Sequence, residues 1–171
     1  SDNPDAETQA QYSFSVIATD FAGNKSAAQS VTLDINNLDD TAATITSGAT
    51  ATAIDENTGA GQVVYTATAD DSADVSGGVS FSLSGADSAA FTIDASSGEV
   101  ALIADTNADE QDQYSFTVIA TDLAGNASSQ TVTLDINNLD EVAPVITSGS
   151  VVVSIDENSG AYQQVYTATA D

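Results

Sequence analysis

The chain has no cysteine, histidine, methionine or tryptophan, and a single basic side chain, Lys25, across its 171 residues. Each absence removes something. Without cysteine no disulfide can hold a small domain together and no thiol can act as nucleophile. One lysine against 26 acidic residues gives a formal charge of −25, which repels nucleic acid and anionic membrane and attracts cations. Aromatics make up only 6 %, so any core is thin. No apolar run approaches the roughly 18 residues that span a membrane, and no leader peptide is visible.

What the chain does have, it has twice. Gln11–Asn24 (QYSFSVIATDFAGN) returns as Gln113–Asn126 (QYSFTVIATDLAGN), and LDINNLD at Leu33–Asp39 returns unchanged at Leu134–Asp140. Ile54–Asp70 returns as Ile155–Asp171 with 14 of 17 positions identical. A period of about 100 residues is a whole small domain repeated, rather than a solenoid turn. Its phase divides the chain into residues 1–40, the end of one repeat; 41–141, a complete repeat; and 142–171, the start of a third. The chain thus reads as a window on a longer tandem array.

The pattern is that of strands throughout. Tyr114, Phe116, Val118 and Ala120 alternate with Ser115, Thr117, Ile119 and Thr121, and Val132, Leu134 and Ile136 alternate with Thr131, Thr133 and Asp135. Gly125-Asn126 between them tolerates positive φ, so the pair is expected to form a hairpin. Tyr65, Ala67 and Ala69 mark another strand, and Val79, Phe81 and Leu83 a further one. Phe91 and Ile93 precede a turn at Ser96-Ser97-Gly98, with Val100 and Leu102 after it. With the apolar stretch Ala43–Ile54 this makes about seven strands in a repeat and predicts an all-β, seven-stranded Greek-key β-sandwich. Tyr65 and Tyr114 are expected in the core, and Asp34, Asp94 and Asp135 on solvated surfaces.

Catalysis is a poor fit. No base and nucleophile are paired, no G-x-S-x-G elbow and no dinucleotide or phosphate-loop fingerprint occurs, and the acids gather at repeat ends rather than in an aromatic cleft.

In the order in which its motifs occur, the segment from Asp55 to Asp140 resembles a cadherin domain, and in particular the cadherin-like repeats of giant bacterial RTX-type surface adhesins. DEN at Asp55–Asn57 matches the acidic motif after the first strand. FTIDASSGEVAL (Phe91–Leu102) matches the family hairpin, with Ser97 in place of a Thr, and YSFTVIATD (Tyr114–Asp122) matches the strand ending in A-x-D. VTLDINNLDEVAPVITS (Val132–Ser148) aligns without gaps on the linker that carries D-x-N-D-N and Ala-Pro.

The resemblance implies tandem repeats joined by linkers that bind Ca²⁺, about two to three ions each. Carried over residue by residue, the linker motif falls on Asn37, Leu38, Asp39, Asp40 and Thr41, and again on Asn138, Leu139, Asp140, Glu141 and Val142. The D-x-E pair falls on Asp5 and Glu7, and in the central repeat on Asn107 and Asp109. The DEN acid is Glu56, with Glu157 its copy, and the A-x-D aspartates are Asp20 and Asp122. The D-x-D pair lies among Asp70, Asp71 and Asp74, with Asp171 the copy of Asp70 in the third repeat. Asp20 and Glu157 are expected to have no linker to serve. Asn37, Asn107 and Asn138 depart from the family's Asp, while Asp39 and Asp140 replace its Asn. A register centred on Asp34-Ile35-Asn36 would leave Ala143-Pro144 three residues out of place. Oxygen donors in such numbers suit calcium, a hard cation that takes six to eight of them.

The function implied is that of an extracellular spacer on a bacterial cell surface, projecting a distant adhesive module and partnered by its own neighbouring repeats. The alternative is an adhesion module making homophilic or carbohydrate contacts itself. Neither involves catalysis, nucleic acid or direct membrane insertion.

Overall fold

The computed structural model describes residues 3–75 and 77–171, and the chain divides into two compact units, Ser1–Asn138 and Leu139–Asp171. The first unit opens with a hairpin of β1 (Gln11–Val16) and β2 (Gln29–Asp34). The complete repeat follows as β3 (Thr44–Ile45), β4 (Ile54–Asp55), β5 (Val63–Thr66), β6 (Ala69–Asp70), β7 (Val79–Ser84), β8 (Phe91–Ile93), β9 (Glu99–Leu102), β10 (Gln113–Asp122) and β11 (Ala127–Asn137). One 3-10 turn, Ser88–Ala90, is the only helical element among the described residues. The fold is all-β.

Two of the seven expected strands are broken. The stretch Ala43–Ile54 is β3 plus β4, and these pieces join different partners. Antiparallel β3 pairs with β6, whereas β4 runs parallel to β11. The first strand therefore changes sheets, at a segment whose Thr-, Ala- and Ser-rich sequence gives no strict alternation to hold it in one. The next strand breaks at Ala67-Thr68, between β5 and β6. There the chain is pinned by a close approach: a Cβ on Gly98 would sit 2.3 Å from the Ala67 carbonyl oxygen, and Gly98 has φ of +74°. Only glycine fits that turn.

One sheet runs β4-β11-β10-β7, and the facing strands run β5-β9-β8, with β3-β6 continuing beyond β5. Alternation on the two long strands decides what is buried. Phe116, Val118, Ala120, Val132 and Leu134 are fully buried, and the residues between them are not. Each such large side chain contributes about 1.5–3 kcal/mol relative to exposure. Phe116 meets Phe91 at 4.6 Å and Tyr65 edge-on at 6.0 Å between ring centres, and Phe91 meets Tyr114 edge-on at 5.8 Å. Buried Tyr65 keeps its hydroxyl satisfied by donating to the Gly48 carbonyl (2.6 Å) and by a hydrogen bond with the Ser47 hydroxyl (2.7 Å).

The second unit repeats part of this on a smaller scale. Ile146 bridges Ala170, Thr147 N–H donates to the Thr169 carbonyl (2.8 Å), and the Tyr166 hydroxyl reaches the Gly149 carbonyl (2.9 Å) and the Ser148 hydroxyl (2.6 Å). Every one of these contacts has its copy in β3–β6 about 101 positions earlier.

Candidate metal centre

Four acids from separate parts of the first unit converge where residues 37–41 enter the complete repeat. Asp39 arrives with the incoming chain, Asp71 and Asp74 come from the loop after β6, and Asp122 ends β10. Asp122 is buried at 5 % exposure, and Asp39, Asp71 and Asp74 are each half-buried. Lys25, the sole basic side chain, lies in the β1–β2 turn. Among the described residues no basic side chain offsets the negative charge at this point.

The titration of these groups records the crowding. Asp39 is raised above the ordinary carboxyl value, first by burial and then by the charges of Asp122, Asp71 and Asp74. Burial works against ionising Asp74 as well. There the Asp40 amide (3.2 Å), the Asn37 side chain (2.7 Å) and the Val75 amide outweigh it and hold the carboxyl low. Asp122 behaves likewise: burial opposes its charge, but the Asn126 side chain (2.9 Å) and the Asn126 and Gly125 amides (2.8 and 2.7 Å) prevail. On the preceding side, Asp5 is held low by Glu7 and by the Thr8 hydroxyl and amide. Glu7 gains from its own backbone amide, yet its bond to Asp5 and the field of Asp74 leave it raised.

Asp5, Glu7, Asn37, Leu38 and Asp40 line one groove. Asp70 stands apart: the Ser72 side chain, and then the Ser72 amide that donates to its carboxylate at 3.0 Å, hold its pKa low. The outlying acids also have structural work. Asp94 accepts from the amides of Ser96 and Ser97, and Asp34 and Asp135 each accept from a glutamine across their hairpin. Asp20 is bonded to Asn24 just as Asp122 is to Asn126.

The residues assigned to the second linker fall in both units. In the first, Glu56 is 1 % exposed, and its Oε2 accepts from the Ala108 amide at 2.7 Å. Asn107 accepts from the Asp109 amide (2.9 Å), and Asn138 donates to Asp109 (2.7 Å). A buried carboxylate, a carboxamide and an exposed carboxylate thus gather at the end of β11. In the second unit, Leu139 and Glu141 lie in the chain leading to Ala143-Pro144. Asp140 accepts from Val142 N–H (3.2 Å) and Asp171 from Val145 N–H (3.0 Å), and both line one pocket.

Among the described residues no three acidic side chains are closed into a group that would hold a metal as they stand. Several are turned instead onto nearby amides. The donor chemistry at the first junction nevertheless fits one class of ligand. It consists of carboxylate, carboxamide and carbonyl oxygen without nitrogen or sulfur, which suits Ca²⁺ and disfavours zinc or copper. Asn126 was read from the sequence only as a turn residue. Its Nδ2 also donates to the Asp39 carbonyl (3.1 Å), an acceptor that carries no side-chain signature.

A family model described as the cadherin domain matches residues 50–137. No curated protein matches the chain. Among solved structures, the EC22–24 region of mouse cadherin-23 is similar at 22 % identity and TM-score 0.62, over 99 % of this chain and 56 % of that one. Protocadherin gammaB7 EC3–6, solved as a cis-dimer, is similar at 25 % identity and TM-score 0.59, over 97 % of this chain and 41 % of that one. Domains 1–4 of protocadherin gamma B7 give 17 % identity and TM-score 0.63, over 90 % and 37 % respectively. The chain therefore spans less than two-thirds of each of these proteins. Cadherin domains are extracellular adhesion modules rather than enzymes, and no helix among the described residues is long and apolar enough to cross a membrane. The sheet-switching first strand, the DEN acid buried beneath β11 and the matched span over half of the chain lead to one assignment: this chain belongs to the cadherin domain family.

Proposed function

We propose that the chain is a calcium-stiffened extender of a long extracellular bacterial adhesin, a spacer that projects a distal binding module from the cell surface. The observation that carries this reading is the meeting of Asp39, Asp71, Asp74 and Asp122 at one junction with no basic side chain beside them. Cadherin domains as a class bind Ca²⁺. Here Asp5, Glu7, Asn37, Asp39, Asp40, Asp71, Asp74 and Asp122, with the Leu38 carbonyl, would hold it at the first junction. For the second linker, Glu56, Asn107, Asp109 and Asn138 are the proposed donors in the first unit, and Leu139, Asp140, Glu141 and Asp171 those in the second. When bound, the cation supplies charge compensation and a bridge between oxygens of successive repeats. The acids themselves repel one another, so the junction is stiff only with the ion present. About two to three ions per linker match the number of donors.

Contact through the repeat itself, homophilic or with carbohydrate, is the competing reading. The large apolar side chains exposed on the complete repeat among the described residues, Val63, Val75, Ile103, Leu123 and Leu139, come from separate turns, strands and the linker and include no aromatic ring.

The test is a calcium titration of the intact chain followed by melting temperature and by the length obtained from small-angle scattering. Millimolar Ca²⁺ is expected to raise the melt by roughly 10 °C or more over chelator, because the ion binds only the folded junction. Mg²⁺ should substitute poorly, given its smaller octahedral shell. Equal melts in chelator and in Ca²⁺ would remove the metal reading. A higher melt with unchanged length would leave a calcium-binding module that is no spacer.

A further inference from the structure

The inward face of β11 changes character halfway along. Val132, Leu134 and Ile136 are buried on it, and strand alternation puts Gln130, Ser128 and, just before the strand, Asn126 on the same face. Polar side chains at inward positions need partners. All three have the same kind. Asn126 Nδ2 donates to the Asp39 carbonyl (3.1 Å), Ser128 Oγ to the Ala43 carbonyl (2.5 Å), and Gln130 Nε2 to the Ser47 carbonyl (2.8 Å). Donors two apart thus reach acceptors four apart on the incoming chain.

The segment they reach is not otherwise paired with β11. Main-chain pairing between the two begins only at the Thr50–Thr133 bridge, with Ala51 N–H on the Thr133 carbonyl. On its other side the segment does have a main-chain partner. Thr44 opposes Asp70, and Thr46 N–H donates to the Thr68 carbonyl (2.8 Å). Residues 39–47 are therefore held by backbone on one side and by side chains on the other. The turn of the first hairpin lacks the matching set. An extra residue there places Ala27, rather than a serine, two positions before Gln29, and the Gln29 amide bonds to its neighbour's carbonyl.

We propose that Asn126, Ser128 and Gln130 form a clasp that needs no cation, fixing residues 39–47 onto the complete repeat and so positioning the junction acids before any ion binds. The acceptors of Ser128 and Gln130 are neutral carbonyls, on which neither chelation nor salt acts directly, whereas the Asn126 amide is shared with the Asp122 carboxylate (2.9 Å), so the single variants are made at Ser128 and Gln130. It does not depend on the calcium reading, and the test is made in chelator for that reason.

Amide hydrogen exchange of the intact chain in chelator reads the clasp at Thr46, whose N–H lies on the segment, against Val118 and Val132 in the sheet core. Protection at Thr46 is expected in the unaltered chain. Gln130→Glu keeps the size of the side chain but replaces its donor, and exchange at Thr46 should rise about tenfold, the equivalent of one net hydrogen bond. Gln130→Lys restores a donor and should restore protection. Ser128→Ala should match Gln130→Glu, and Asn126→Ala combined with both should also free the Asp40 amide. Val118 and Val132 should not change in the single variants. Thr46 unprotected in the unaltered chain, wild-type exchange in Gln130→Glu and Ser128→Ala, or equal exchange in the Glu and Lys variants would each overturn the proposal. Should the triple variant unfold, the single variants still decide it.

Discussion

The hairpins β1–β2 and β10–β11 carry nearly the same residues in the same register, yet one is packed and the other is not. Tyr12 opposes Leu33 and Phe14 opposes Val31, just as Tyr114 opposes Leu134 and Phe116 opposes Val132. The turn bonds are duplicated as well, Asn24 on Asp20 and Asn126 on Asp122. Phe14 is nevertheless 52 % exposed while Phe116 is fully buried. Strand pairing, register and turn are thus written locally in about 25 residues. Burial is not: it comes from β5, β8 and β9 facing the second hairpin, whereas among the described residues β1 and β2 form a two-stranded sheet by themselves. The packed hairpin is also the longer one, at 10 and 11 residues against 6 and 6.

The sharpest way to break this comparison is to truncate the same ring in each copy. Phe116→Ala should cost about 3–5 kcal/mol by chemical denaturation, since it empties the centre of the Tyr65–Phe91–Phe116 cluster. Phe14→Ala should cost under about 1 kcal/mol, as expected of an exposed site. Similar losses would mean that the first hairpin is covered in solution.

A smaller effect separates the complete repeat from residues 139–171. Tyr65→Phe removes a hydroxyl from two partners in a half-buried site and should cost about 1 kcal/mol. Tyr166→Phe removes the copied bonds where water can replace them, and the cost should lie within about 0.5 kcal/mol.

The smallest effect changes sign. Asp39 has its folded-state pKa raised, so relative to the unfolded chain it favours folding when protonated and opposes it once pH rises through the folded value. Asp122 and Asp74, held low, do the reverse: their contribution is present above the ordinary carboxyl range and is lost as pH falls through their folded values. Asp39→Asn should therefore raise the melting temperature slightly in chelator at neutral pH and lower it in saturating Ca²⁺. A shift of the same sign in both buffers would show that Asp39 neither suffers repulsion nor meets the ion.

Much of this was legible in the sequence because period-2 alternation and motif order are one-dimensional. Phe81, Phe91, Phe116 and Leu134 lie in the core that their spacing indicates. The sheet switch within Ala43–Ile54 was not legible, since it depends on which strand offers a free edge. Neither was the separation of Asp70 from Asp71 and Asp74, three acids alike in sequence. Only the structure bonds Asp70 to Ser72 and brings Asp71 and Asp74 close enough for their charges to act on Asp39. The polar half of the β11 inward face went unread for a related reason. Asn126, Ser128 and Gln130 look like ordinary turn and surface residues until their acceptors, which are backbone atoms, are located.

The parallel pairing of β4 with β11 also determines how the complete repeat meets tension. The chain enters above Thr50 and Ile54 and leaves below Thr133 and Ile136, and these are the residues that face each other across the pair. Pulling the two ends apart drags the strands along each other rather than peeling them. Bonds loaded in shear share the force and must break together, whereas a hairpin pulled at its open end breaks them one by one. The β1–β2 and β10–β11 hairpins have that weaker geometry between their own strands, but the route of force through the complete repeat runs from the first strand to the last.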